Sequence, residues 1–114
     1  MQYLLLIYEN EMRFSTLNQA AFGAELAEYR GFGQQHAARI KGGNALQPTG
    51  KAKTIRVRDG KRLTTDGPFA ETKEQLGGYY LVEADNPEEA AAMAEKIPGA
   101  RYGCIEVRPI MTFS

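Results

Sequence analysis

Few residues of this 114-residue chain can do acid–base chemistry, because it contains one histidine and one cysteine. Asp66 lies directly before Gly67-Pro68, at the mouth of a loop that follows a basic hairpin. A carboxylate that accepts bonds from free backbone amides stays ionised, which suits a general base. His36 lies late in a predicted helix, where its imidazole can act as acid or base or bond the last helical carbonyls. Asp66 and His36 are therefore the catalytic candidates.

The run DGPFAETKEQLGG, residues 66 to 78, offers a binding surface beside Asp66. A spacing of four would place Phe69 and Lys73 on one side of a short helical turn. These two residues are the ligand-binding candidates, for a small carbonyl or carboxylate compound with Lys73 as its anion partner. The same run also has a purely structural explanation, in which Asp66 caps the turn, Pro68 starts it and Gly77-Gly78 ends it.

Other classes of site find little support in the residue types. A single histidine excludes a histidine-rich metal centre, and no HExxH, CxxC, Walker or dinucleotide-binding pattern is present. We therefore expect neither metal nor cofactor. Cys104, in the apolar run YGCIEV, is predicted to be a small buried residue, and the lack of a disulfide partner favours the cytoplasm. No stretch approaches the roughly 20 apolar residues that cross a bilayer, so we expect no membrane association.

The charges of the chain are segregated although its net charge is zero. Residues 37 to 65 hold eight basic side chains and one acid, whereas the remainder holds six basic and thirteen acidic side chains. The basic part could form a nucleic-acid groove, or a solvated hairpin that faces acidic elements of the same or a partner chain. No nucleic-acid-binding motif accompanies the charges, which makes nucleic acid the less favoured partner.

The elements that must position these residues follow from periodicity. Residues 2 to 8 form a strand that is apolar on both faces, and an amphipathic helix from about 17 to 37 follows, with capping-box spacing at Thr16 and Gln19. The run KTIRVRDGKRLTT is a hairpin. A two-residue turn at Asp59-Gly60 would pair Arg56 with Leu63, but a three-residue loop pairing Ile55 with Leu63 is preferred because it keeps the apolar residues on one face. A strand, a helix capped by Asn86 and a final strand complete the chain.

This order fits a single α+β domain over residues 1 to 114, a ferredoxin-like sandwich with an extra hairpin. Two helices cover only one face of the sheet, while at least two strands are apolar on both faces. The second face needs a partner, so we predict a homodimer packed sheet to sheet.

The run from Asp66 to Glu74 reads DGPFAETKE, and by this signature the chain resembles the DGPFAETKE family of YCII-related proteins. The runs YLLLIY, EQLGGYYLVEA and ARYGCIEVRPI are similar to this family as well. The resemblance implies a dimeric α/β barrel of ferredoxin-like subunits, in a superfamily that includes muconolactone isomerases and lactone dehalogenases. It implies an aspartate and a histidine as an acid–base pair, for which Asp66 and His36 are the candidates.

Two functions follow from the residues and the resemblance together. The first is a small-molecule-binding dimer with a regulatory role linked to extracytoplasmic-function sigma factors, with which some members are associated. The second is a cofactor-independent lyase or isomerase that acts on a small carbonyl or lactone compound, with Asp66 as its base. The sequence leaves both open.

Overall fold

The computed structural model describes residues 1–113, and these form six strands and three helices. The elements are β1 (Gln2–Glu9), α1 (Met12–Thr16), α2 (Gln19–Gln35), β2 (Ile40–Ala45), β3 (Lys53–Arg58), β4 (Lys61–Asp66), β5 (Gln75–Glu83), α3 (Pro87–Ala94) and β6 (Cys104–Pro109), with 3-10 turns at Thr49–Lys51 and Pro98–Arg101. No helix within residues 1–113 is long and apolar enough to cross a membrane.

Four strands form an antiparallel sheet in the order β2-β5-β1-β6, while β3 and β4 form a separate hairpin. The α+β class is thereby confirmed, and the strand order is compatible with a ferredoxin-like sandwich that carries the hairpin as an insertion between β2 and β5. One face of the sheet packs against α2 and α3. This core contains Tyr3, Leu5, Ile7, Phe32, Val82, Met93 and Ile97.

The other face of the sheet carries the alternate residues of the same strands. Leu4, Leu6 and Tyr8 of β1 lie opposite Leu81, Tyr79 and Leu76 of β5, respectively. We call this surface the open face. Because the open face is apolar as well as the core face, β1 carries apolar side chains on both sides, as the sequence indicated.

The helix predicted from about 17 to 37 is α2, which begins at Gln19, and the short helix α1 before it was not predicted. Leu17 is extended, and the Asn18 side chain caps α2 by accepting a bond of 2.8 Å from the Ala21 amide. The predicted capping box at Thr16 and Gln19 is wrong, since the Thr16 hydroxyl bonds the Arg13 carbonyl. In α3 the prediction is confirmed: the Asn86 side chain accepts from the Glu89 amide at 2.8 Å.

The hairpin register also differs from the preferred prediction. Asp59 and Gly60 form a two-residue turn with φ of 52° and 74°, and Arg56 pairs with Leu63 while Ile55 pairs with Thr64. Two residues with positive φ match the right-handed twist of the flanking strands. Because neither face of the hairpin is buried within the chain, no core contact selects the alternative register.

Residues 67 to 74 form an irregular loop instead of the predicted helical turn. Asp66 ends β4 and caps nothing, while the Gly67 amide donates to the Ala52 carbonyl at 2.7 Å. Gly77 and Gly78 lie inside β5, where the pairing with β1 shifts by one residue. The prediction of a helical turn is wrong because polar groups within the loop bond one another instead: the Thr72 hydroxyl donates to the Glu74 carbonyl.

Replacing Gly31 with alanine should stabilise the protein by about 0.5–1 kcal/mol in urea unfolding. Gly31 lies in the middle of α2, and a Cβ there would meet no atom within 4 Å. Gly103→Ala is the opposite control, because its Cβ would lie 1.9 Å from the Tyr8 carbonyl oxygen. A loss of stability in Gly31→Ala would mean that another molecule packs on this side of α2.

Candidate functional site

A cavity of about 660 Å³ lies between the helices α1 and α2 and the edge of the sheet formed by β2 and β5. Most of its wall is apolar and aromatic, with Phe14 and Phe22 at the helix side and Tyr80 at the sheet side. Phe14 and Phe22 meet edge to face at 6.5 Å between ring centroids. A cavity of this size and composition is typical of small-molecule sites.

Three charged side chains, two buried carboxylates and a partly buried guanidinium, form a cluster at this cavity. Glu9 ends β1, Arg13 lies on α1 and Glu25 lies on α2. The Arg13 guanidinium donates to Glu9 Oε2 at 3.1 Å and to the two Glu25 oxygens at 2.9 and 3.0 Å. Arg13 also lies over the Tyr102 ring at 3.9 Å from the centroid. One cation therefore serves two carboxylates that are only 5% and 7% exposed.

Glu9 keeps one carboxylate oxygen without a bond. Its Oε1 atom is buried and has no hydrogen-bond partner among the described residues. Burial raises the pKa of Glu9 above its ordinary value, and the bond and charge of Arg13 oppose this rise only in part. A carboxyl group with a raised pKa exchanges protons closer to neutral pH, as a general acid or base requires.

The Tyr29 hydroxyl approaches the same glycine as that oxygen. A Cβ built on Gly99 would lie 2.6 Å from Glu9 Oε1 and 2.9 Å from the Tyr29 hydroxyl, so both oxygens converge on one glycine. Burial, together with the charge of Glu9, raises the pKa of Tyr29. The phenol therefore keeps its proton at neutral pH and is available as a hydrogen-bond donor.

The charges of the cavity wall select against anions. The lining contains three carboxylates, Glu9, Glu11 and Glu25, and among the described residues no lysine or arginine lines it. Glu11 is occupied, because it accepts bonds from the Thr49 amide and hydroxyl. Within residues 1–113 no group of three histidine, cysteine, aspartate or glutamate side chains is placed to hold a metal ion.

The two predicted catalytic residues lie outside this cavity. Asp66 is on the hairpin, with its side chain 83% exposed and paired with Lys53 Nζ at 2.6 Å. His36 follows α2, its Nδ1 3.1 Å from the Phe32 carbonyl oxygen and its ring 4.5 Å from the Phe32 ring. The structure does not place either residue in the cavity wall. Their catalytic role stays a prediction.

The two predicted ligand-binding residues do not line the cavity either. Phe69 is 79% exposed, and Lys73 lines a separate depression beside Glu74 and Cys104. The predicted burial of Cys104 is wrong, because Ile105 and Val107 take the core side of β6 and leave Cys104 on the other. A binding role for Phe69 and Lys73 stays a prediction.

The cluster of Glu9, Arg13, Glu25 and Tyr29 was missed by the sequence analysis. A signal for it exists: Tyr3, Leu5, Ile7 and Glu9 occupy alternate positions on one face of β1, so an acid lies on the core side of a central strand. The predicted strand ended at Tyr8, one residue too early. No such signal pointed to Arg13, because residues 12 to 16 were not predicted to form a helix or a strand.

Comparison with known protein families identifies one family. The family model described as "YCII-related domain" matches residues 1–114. An uncharacterized protein of Rhizobium meliloti (strain 1021) is 43% identical over 70 residues, which cover 60% of this chain and 56% of that protein. The match therefore spans little more than half the length of that relative.

One solved structure resembles the chain over most of its length. It is 5-chloro-2-hydroxyhydroquinone dehydrochlorinase from Burkholderia phenoliruptrix in complex with 2,5-dihydroxybenzoquinone. The likeness covers 97% of this chain and 94% of that chain, at 16% identity and a TM-score of 0.49.

Proposed function

This chain belongs to the YCII-related family, and on that premise we propose that it is a cofactor-independent lyase or isomerase with Glu9 as base and Tyr29 as hydrogen-bond donor. The observation that carries the proposal is the buried Oε1 of Glu9, which has no partner among the described residues and belongs to a side chain that lines the cavity. A buried polar atom without a partner costs about 1–3 kcal/mol, so its presence calls for an explanation. A substrate proton would supply the missing partner.

The chemistry of such a pair is proton transfer beside a carbonyl group. Glu9 takes a proton from a carbon or hydroxyl of the substrate, and the Tyr29 phenol bonds the carbonyl oxygen on which negative charge develops. In an isomerase, Glu9 returns the proton to another carbon. In a lyase, a leaving group departs with its electron pair. Arg13 keeps Glu9 oriented through Oε2 and leaves Oε1 free for the substrate.

The substrate class follows from the cavity wall. Aromatic and aliphatic side chains suit a planar ring or lactone, and three carboxylates repel an anion. We therefore propose an uncharged phenolic, quinoid or lactone compound. Of the carbonyl or carboxylate compounds expected from sequence, this proposal keeps the carbonyl class and drops the carboxylate class, because Lys73 does not line the cavity.

A matched pair of ring compounds tests this selectivity. 4-Hydroxybenzaldehyde should raise the melting temperature, whereas 4-hydroxybenzoate, of similar shape but charged, should bind at least about ten times more weakly at pH 7. A ligand at 100 times its dissociation constant stabilises by about 2.7 kcal/mol, which thermal shift resolves. Equal or tighter binding of the anion would contradict the assigned cavity.

A protein that only binds its ligand would use the same cavity, which keeps the regulatory dimer as a second candidate. Incubation with each stabilising ligand, followed by mass spectrometry of the products, separates the two. Binding without conversion would favour regulation. The link to an extracytoplasmic-function sigma factor stays a prediction of the family resemblance, to be tested by pull-down with the purified factor.

The subfamily and the assembly are part of the same proposal. The DGPFAETKE signature at Asp66–Glu74 supports membership of that branch. The apolar open face, with Leu4, Leu81 and Tyr79 only half-buried, supports a homodimer in which a second copy covers it. Such an assembly would be the dimeric α/β barrel that the resemblance implies.

A further inference from the structure

Within residues 1–113, the β3–β4 hairpin packs on no other element. We call Lys53–Asp66 the arm. Every side chain of the arm's strands is exposed except the half-buried Thr54, and Ile55, Val57 and Leu63 are 51%, 60% and 49% exposed. Its anchors are local: the Gly67 amide bonds the Ala52 carbonyl, and the Thr54 hydroxyl bonds the Gly67 carbonyl.

The arm extends the molecule well beyond a compact shape. The radius of gyration is 16.1 Å, with extents of 48 × 47 × 19 Å. A compact chain of this length has a radius of gyration of about 13 Å. Because a two-stranded hairpin is marginally stable by itself in water, a surface outside its own chain must hold the arm in place.

The register gives the arm two different faces. Ile55 and Val57 lie beside Thr64 and Arg62 on one face, which we call the apolar face of the arm. Leu63 lies on the other face, among basic side chains. That second face carries Arg56, Arg58 and Lys61. The apolar face is the one that gains most from leaving water.

The open face of the sheet matches the arm in character and size. It presents leucine and tyrosine side chains, with Glu106 and Arg108 at alternate positions of β6 on the same side, and the Tyr8 hydroxyl lies 3.3 Å from the Glu106 carboxylate. The arm holds five basic and two acidic residues, and the rest of the chain holds nine basic and twelve acidic residues. Six extended residues span about 20 Å, enough to cross four strands, which span about 14 Å.

We propose that the arm of one copy lies across the open face of a second copy, with Ile55 and Val57 against its leucine and tyrosine side chains. The inference rests on the homodimer proposed above and is independent of the reaction. A two-fold axis makes the exchange mutual, so both arms and both open faces are covered in one closed assembly. The exposed apolar pair favours this protein surface over nucleic acid as the arm's partner.

Sedimentation equilibrium of matched variants tests the proposal. The double variant Ile55→Asp with Val57→Asp should weaken the dimer by about 100-fold or more, since each dimer then buries four charges. Leu63→Asp, equally exposed on the opposite face, should change the dissociation constant less than about threefold. A monomeric wild type would overturn the dimer and the arm together. A wild-type dimer that the double variant leaves intact would overturn the arm alone.

Cross-linking locates the docking surface. Cys104 lies on the open face, so a variant with Val57→Cys and Cys104→Ser, labelled with nitrogen-15, is mixed with unlabelled wild type and treated with a short bismaleimide. Peptides that join a labelled residue 57 to an unlabelled Cys104 are expected, and Leu63→Cys should give far fewer. Absence of this cross-link overturns the proposal. So does salt-sensitive DNA retention that the arm variants abolish without weakening the dimer.

Discussion

Replacing Arg13 with methionine should lower the free energy of unfolding at pH 7 by about 3–5 kcal/mol. Methionine preserves most of the packing but leaves Glu9 and Glu25 buried, close together and without their shared cation. Removing one partner of a buried ion pair is costly because the remaining charge keeps its desolvation penalty. Urea unfolding at one fixed protein concentration measures the loss.

The loss should shrink as the pH falls from 7 towards 4. Burial already raises the pKa of Glu9, and without Arg13 that pKa rises further. A carboxyl group with a raised pKa in the folded state favours folding below its unfolded pKa of about 4.3, and this contribution is lost as pH rises through the folded pKa. The variant is therefore most impaired at neutral pH.

Two further variants separate charge from packing. Arg30→Met removes an exposed arginine that forms no ion pair with a described residue, and should change stability by less than about 0.5 kcal/mol. Adding Glu25→Gln to Arg13→Met should recover part of the loss. If the loss in free energy of unfolding stays constant with pH, or if Glu25→Gln does not reduce it, Arg13 stabilises the protein by packing and not by charge.

Replacing Glu9 with glutamine should lower kcat by about 10²–10⁴-fold on a substrate found among the stabilising ligands. Glutamine keeps the shape of the side chain but cannot accept a proton. In the wild type, activity should rise with pH as Glu9 ionises. The midpoint should lie above the ordinary glutamate value of about 4.3, because burial raises the pKa of Glu9. Initial rates from pH 4 to 8 measure this limb.

Parallel variants decide between the two proposed bases. If Glu9 is the base, Asp66→Asn should keep turnover within about threefold, since its exposed carboxylate lies on the arm outside the cavity wall. Tyr29→Phe should lower kcat by about 10-fold or more while preserving ligand binding. The reverse result, with Asp66→Asn inactive and Glu9→Gln active, would restore the assignment made from the signature and refute the cavity.

The elements of the fold were largely predictable because local rules act on short stretches. Asn86 and Pro87 mark the start of α3, and the double-sided apolar pattern of residues 2 to 8 marks a central strand. The helix α1 was not predicted, and the cap of α2 was misplaced, since the choice between Thr16 and Asn18 as cap depends on which backbone amide the folded chain presents.

The candidate site was less predictable, because its members come from separate elements. The signature at residues 66 to 74 drew attention to Asp66, yet that carboxylate pairs with a lysine in water. Glu9, Arg13 and Glu25 are unremarkable in sequence, since a charged residue is usually exposed. They meet only after α1 and α2 fold against the end of β1.

The sequence by itself determined the α+β class, the positions of the first strand, the hairpin and the two longer helices, the excess of apolar faces and the family signature. These features depend on periodicity and composition, which act between residues near in the chain. Only the tertiary structure decided that the arm stands free, that its register follows a two-residue turn, and that a buried carboxylate oxygen lies unpaired beside a cavity. Those features depend on which distant surfaces exclude water from one another, and burial changes what a carboxylate or an apolar pair can do.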